Sequence, residues 1–337
     1  MKPTKFLTIL FYIAVIVACK SEKKEAAIIK DKNDTAKIEE RISGPQTYAE
    51  ISIAQGGSWN DRVYEGGTSF KNVTSLVVPK AHTDHSWYLR YEGPGWESNK
   101  VGYRLYLDWR NAIDIFGKVT DSLILPRIGQ DGFDSYHEKQ SWGQDILKVG
   151  KGLGIGSIGR LVDSKMLHFK NVDTTDVTIE NTADMSSVII NYRGWKTNLE
   201  NIDLTSTLSI APNKRYTKHT FITSEAITGI CTGIVDHGVN YQHKISNNKK
   251  WGYIATYGIQ TLIPDKLGMA IFYKVDTTTD IKKGATDYLI EFKPATTPIS
   301  FYFLGAWEQE KNGIKTEKEF LIYLDRLLKQ LNETNTL

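Results

Sequence analysis

From residue 47 onward the chain is a succession of short runs rich in β-branched and aromatic residues. They include YAEISIAQ, VTSLVVP, SWYLRYEG, VGYRLYLDWR, DVTIEN, SSVIINYRGW, LTSTLSIA, YTKHTFIT, YIATYGIQT, LGMAIFYKV, TDYLIEF and ISFYFLGAW. Polar turn clusters such as ENTADMS, IAPNKR and ISNNKK separate them. Runs of this length and composition are strands, and the short polar links between them suit antiparallel neighbours. Helical periodicity does not alternate with the strands, so parallel βαβ units are excluded. The clear helix is C-terminal. Thr316 and Glu319 form a capping box ahead of an apolar stripe of Phe320, Tyr323, Leu324, Leu327, Leu328 and Leu331.

The expected fold is all-β: a large antiparallel β-sandwich, of which the galactose-mutarotase-like super-sandwich is one form, with a C-terminal α-helix. No Pro/Gly-rich linker divides residues 47–337, which are expected to form a single domain.

The N-terminus has a different character. Lys2 and Lys5 precede an apolar run from Phe6 to Ala18, and Ile16-Val17-Ala18-Cys19 ends it like a lipobox. The run is too short to span a bilayer comfortably, so residues 1–18 read as a signal peptide. Cys19 is then the acylated residue, and residues 19–46, charged and without an aromatic, form a flexible tether. These features predict a lipoprotein of a Gram-negative bacterium, periplasmic or at the outer membrane, held by its lipid alone. A formal charge of +3 is too mild to argue for nucleic acid, and no required protein partner is evident. Cys231, the one cysteine left after Cys19, reads as a buried small hydrophobe.

The stretch Val101–Arg110 carries the most chemistry. Strand alternation puts Val101, Tyr103, Leu105, Leu107 and Trp109 on a core face, and Arg104, Tyr106, Asp108 and Arg110 in one row on the other. EGPGWES introduces the strand and can set Trp96 and Glu97 at a cleft rim. A dense polar loop follows, with Asp131, Tyr136, His137, Trp142, Asp145 and Lys148. His219 lies on the YTKHTFIT strand, and His82 and His85 flank Asp84. Taken singly, each histidine is more often structural than catalytic. Asp84 with His82 and His85 matches no strong ligand spacing, and no metal or other cofactor is expected. Gly154, Gly156 and Gly159 spell GxGxxG, but no buried strand and following helix frame them. A glycine segment passing close to another backbone is the plainer reading.

At EGPGWESNKVGYRLYLDWRNAIDIFGK and GQDGFDSYHEKQSWGQDILKVGKGLGIGSIG the chain resembles a family catalogued as domain of unknown function 4861. That family is similar to an oligosaccharide dehydratase of ulvan degradation. The resemblance implies removal of water from a glucuronate or iduronate at the non-reducing end of an acidic oligosaccharide, leaving a 4,5-unsaturated uronate. Such a reaction needs a base for the C5 proton, an acid for the leaving hydroxyl, and positive charge for the carboxylate. The residue types present suggest Arg104 and Arg110 as carboxylate holders, His137 or His219 as base, and Tyr136 or Tyr106 as acid. Trp96, Glu97, Asp131, Trp142 and Lys148 complete the expected binding set. A lyase that cleaves a glycosidic bond by β-elimination, or a carbohydrate-binding lipoprotein without catalysis, would use much the same residues.

Overall fold

The computed structural model describes residues 46–67, 69–130 and 135–337, within a unit running from Gly44 to Leu337. The signal peptide, Cys19 and nearly all of the tether lie outside the described residues, as does Asp131. Among the described residues, no helix is long and apolar enough to cross a membrane.

The architecture is all-β with one α-helix. A nine-stranded sheet runs, in spatial order, through Asn240–Ile245, Trp251–Ile259, Lys266–Lys274, Ile299–Trp307, Tyr216–Thr223, Glu200–Ile210, Ser186–Thr197, Val172–Asn181 and Ser75–Val77. A six-stranded sheet runs through Ser69–Val73, Thr47–Gln55, Gly95–Ser98, Val101–Leu105, Ile113–Lys118 and Gly143–Asp145. A five-stranded sheet contains Lys165–Leu167, Ile155–Val162, Ile230–Val235, Asp287–Phe292 and Thr278–Lys283, and a small hairpin joins Ser58–Asn60 to Val63–Glu65. Neighbouring strands pair antiparallel. Where the short turn clusters read from the sequence join consecutive strands, as between Glu200–Ile210 and Tyr216–Thr223, they enforce this, since they are too brief for a crossover.

One face of the nine-stranded sheet packs on the two smaller sheets. Ile190, Leu208, Ile271, Phe301 and Phe303 meet Trp96, Tyr103, Ile115, Ile155 and Ile290 in one continuous core. Part of the opposite face is apolar too, and the helix Glu317–Thr334 covers that part. Trp251, Tyr253, Phe272, Tyr302 and Leu304 receive Phe320, Leu324, Leu327, Leu328 and Leu331. Burial on both faces explains why ISFYFLGAW is an unbroken apolar run rather than an alternating one. The Thr316–Glu319 capping box is present as read.

The glycine run takes the plain role. Gly154 has φ +72, and a Cβ there would stand 1.9 Å from the Ile113 carbonyl oxygen. The chain then continues as the strand Ile155–Val162, not as a phosphate-binding turn and helix. Cys231 is fully buried, and burial pushes its thiol pKa up.

Two local expectations change. SWYLRYEG is not a strand: Arg90–Glu92 form a 3-10 turn, with Tyr91 at φ 42 and Glu92 at φ 69. The long strand expected at Val101–Arg110 stops at Leu105, and Leu107–Arg110 is a turn. Trp109, assigned by alternation to the core, is therefore 38% exposed. Neither face of Val101–Leu105 is solvated. A second apolar layer of Tyr91, Ile124, Leu125, Ile128, Tyr136 and Trp142 lies with Phe116 over the outer face.

Candidate functional site

Sheet register builds the site. Arg104 is paired with Asp114 on one neighbouring strand and with Gly95 on the other, and Gly95 is paired with Glu50. Residues opposite one another share a face, so Glu50, Gly95, Arg104 and Asp114 form one row across four strands. Two positions along, Phe116 on the same face pairs with Asp145. Gly95 leaves the space that Tyr91 fills: a Cβ there would lie 2.9 Å from the Tyr91 hydroxyl.

Arg104 is the hub of the row, and it is 1% exposed. Its guanidinium donates to Asp114 Oδ2 at 2.8 Å, Asp145 Oδ2 at 2.7 Å, the Tyr136 hydroxyl at 3.0 Å and the Tyr106 hydroxyl at 3.1 Å. Glu92 Oε2 stands 3.5 Å away. The Tyr106 hydroxyl in turn donates to Asp114 at 2.6 Å. Burial opposes the charge of Arg104, but the phenols and carboxylates around it prevail and hold its pKa well above the usual arginine value. Burial and the neighbouring Asp145 push Asp114 up to about 7, against the pull of Arg104. Burial raises both phenols, with Arg104 pulling each back.

His137 sits at the open edge of this network. Its Nδ1 lies 2.9 Å from Asp145 Oδ2, its ring is 4.4 Å from that of Tyr136, and its side chain is 38% exposed. A tautomer that donates Nδ1–H to Asp145 keeps its lone pair on Nε2. A carboxylate, an imidazole and a phenol over an arginine form an acid–base assembly with each member oriented by the next.

Arg110 reaches the same network from the turn. Its guanidinium stacks 4.1 Å from the Tyr106 ring centroid and contacts Asp108 at 2.5 Å, Glu92 Oε1 at 2.8 Å and Asp84 Oδ1 at 2.8 Å. The turn thus regathers what a longer strand would have aligned. Glu92 bridges Arg104 and Arg110 from a left-handed backbone position that non-glycine residues seldom adopt, the kind of strain found at functional sites. Asp84, His85 and Glu92 bring one donor atom each to within 4.8 Å of one another. Arg110 already supplies positive charge to two of the three.

The structure brings Arg104, Tyr106, Arg110, Tyr136 and His137 together. Among the described residues, it does not bring His219, Trp96, Glu97, Trp142 or Lys148 to that point. Both arginines are engaged by protein carboxylates, contrary to the expectation that they hold a substrate carboxylate. His219 is 1% exposed, with Nε2 2.7 Å from Ser206 Oγ and Nδ1 2.8 Å from the Gly156 carbonyl, and burial lowers its pKa to about 4. It is a satisfied core histidine. Trp96 is fully buried, donates Nε1–H to Thr217 at 2.8 Å and stacks on Tyr103, so it cannot face a sugar. Glu97 is fully buried as well. It accepts from Lys118 Nζ at 2.6 Å and from the backbone N–H groups of Ile124 and Leu125 at 2.7 and 2.8 Å. Trp142 packs edge-on against Phe116 within the second layer. Lys148 is exposed.

Sequence reading missed Glu50, Arg90, Glu92 and Asp114. Arg90 ion-pairs with Glu50, which also accepts from the Tyr91 hydroxyl at 2.7 Å. The readable signal was Asp114 itself, a carboxylate inside the otherwise apolar AIDIF.

Beside the network lies a cavity of about 480 Å³, reached by Leu107, Asp108 and Trp109 of the same turn. Arg62, Lys80, His82 and Lys170 also line it.

No curated protein matches the chain. Among solved structures it is similar to a TPR-domain containing protein from Parabacteroides distasonis, with 9% identity and a TM-score of 0.36 over 77% of this chain. The chain spans 54% of that protein, about half its length. A family model described as Domain of unknown function (DUF4861) matches residues 13–336, and the chain belongs to that family.

Proposed function

We propose that the protein is a carbohydrate-active dehydratase that eliminates water from the non-reducing-end uronate of an oligosaccharide and leaves a 4,5-unsaturated uronate. The observation that carries this reading is the assembly Asp145–His137–Tyr136–Arg104, a braced imidazole beside a phenol held by a buried cation. In this mechanism His137 Nε2 takes the C5 proton, and the C5 electron pair forms the C4–C5 double bond as the 4-hydroxyl leaves. Tyr136 gives its proton to that hydroxyl, so the departing group is water, and Arg104 steadies the phenolate. Proton return from His137 to Tyr136 resets the site. Each of the two proton transfers contributes roughly 10²–10⁴-fold in rate. On this reading the chain works as a lipoprotein tethered through Cys19, at the periplasmic or outer membrane.

Mass spectrometry of uronate-terminated oligosaccharides incubated with the protein tests the proposal. The expected product is lighter by one water with its chain length unchanged. A shortened chain would identify a glycosidic-bond lyase, and an unaltered but tightly held oligosaccharide would identify a binding protein. Either result contradicts the dehydratase reading.

A further inference from the structure

The cavity beside Trp109 has an unbalanced charge inventory. Of the carboxylates that line it, Asp108 is bound by Arg110 and Asp173 by Lys196 at 3.1 Å. The lining cations are not matched in this way. Among the described residues, Arg62 donates to the carbonyl oxygens of Ala81 and His82, at 3.4 and 3.1 Å, and Lys170 stands 5.3 Å over the Trp109 ring. Among the described residues, Arg62, Lys80 and Lys170 have no carboxylate within ion-pair distance. Three cations that no acid among the described residues pairs with give the cavity a positive field.

His82 adds an unsatisfied polar group to the lining. It is 9% exposed and lines the cavity, and its Nδ1 lies 2.7 Å from Ser86 Oγ. Its Nε2 is buried without a hydrogen-bond partner. A buried polar atom of this kind is costly unless something meets it. Burial lowers the His82 pKa to about 4, so the ring is neutral at pH 7 and can accept from, or donate to, a hydroxyl. Trp109, 38% exposed at the cavity wall, offers an apolar ring face of the sort that packs on C–H groups.

We infer that this cavity binds a hydroxyl-rich ring carrying one oxyanion, an acidic sugar unit held through Arg62, Lys80 and Lys170, with His82 Nε2 on a hydroxyl and Trp109 against the ring. Its volume lies within the usual range for a small-molecule site. The choice of a sugar as the ring rests on the dehydratase reading; the preference for an anion stands on the charge inventory alone.

Binding is measured by calorimetry on the full chain carrying His137→Ala, so that turnover does not interfere. The probes are sodium glucuronate, galactose 6-sulfate, glucose and inorganic sulfate. The expected result is saturable binding of glucuronate or galactose 6-sulfate, the tighter of the two identifying the oxyanion. Glucose and inorganic sulfate should bind about tenfold more weakly or worse. Arg62→Ala with Lys170→Ala, both exposed positions, should weaken the acidic sugar by about tenfold or more without changing the thermal midpoint. His82→Gln should weaken it as well, and the surface pair keeps the test decisive if that variant misfolds. Equal binding of glucose, equal binding of inorganic sulfate, or unchanged binding by the Arg62/Lys170 variant overturns the inference. The two readings fail separately. Dehydration with an unaltered KM in the Arg62/Lys170 variant removes the cavity's role alone, whereas anion binding without any dehydrated product removes the enzymatic reading alone.

Discussion

Asp114 shows how much one buried residue can carry. It shares Arg104 with Asp145, accepts from Tyr106, and lies in a network that Glu92, Tyr136 and His137 complete. Burial first, and then the charge of Asp145 on the same guanidinium, raise Asp114 to about 7. A carboxyl raised in this way favours the fold while it is protonated. That contribution is complete below the ordinary aspartate range and is lost as the pH climbs through about 7. The Asp114→Asn change keeps the shape and removes the titration. The melting temperature of this variant relative to wild type should therefore rise between about pH 5 and pH 8, at roughly 2–4 °C for each kcal/mol. A difference that stays flat or falls across that interval would show that Asp114 does not hold a proton in the folded state.

At the scale of elements, the site depends on a sheet whose outer face is as dry as its inner one. The Gly95–Ser98 and Ile113–Lys118 strands are locked by Glu97 and Lys118, both fully buried and 2.6 Å apart. Burial raises the Glu97 pKa and lowers that of Lys118, while each charge pulls the other back. Glu97 also anchors the Leu125–Arg127 turn through two backbone N–H groups. Lys118→Met strands that carboxylate and should cost about 3–5 kcal/mol, read from denaturant unfolding. A second change, Glu97→Gln, should recover part of the loss by removing the uncompensated charge. Recovery of nothing would mean that the backbone contacts, not the charge pair, hold the turn.

The same elements show what the sequence could reveal. Alternation put Arg104 and Tyr106 on one face and their side chains do meet, although Tyr106 lies just past the end of the strand. It could not show that the strand ends at Leu105, since Leu107 and Trp109 continue the pattern into a turn. Nor could it show that Tyr91, Ile128 and Tyr136 cover the outer face, because that layer comes from segments without strand periodicity. Trp96 and Glu97 looked like rim residues for the same reason: a polar or aromatic side chain on a covered face reads like one on an open face. Asp114 in AIDIF was the local clue that charge is buried there.

For the whole molecule, the nine-stranded sheet backs the two smaller sheets, and the C-terminal helix covers the apolar part of its far face. The sandwich and its capped helix were legible because composition and turn spacing specify them directly. The site was only half legible, since Glu50, Arg90, Glu92 and Asp114 join it through register and through left-handed backbone turns. The most direct test compares dehydrated-product formation in His137→Ala, Tyr136→Phe and the double variant. If the pair acts as one unit, each single change costs roughly 10²-fold or more and the double variant is little slower than the worse single one. Wild-type rates in either single variant would contradict the account.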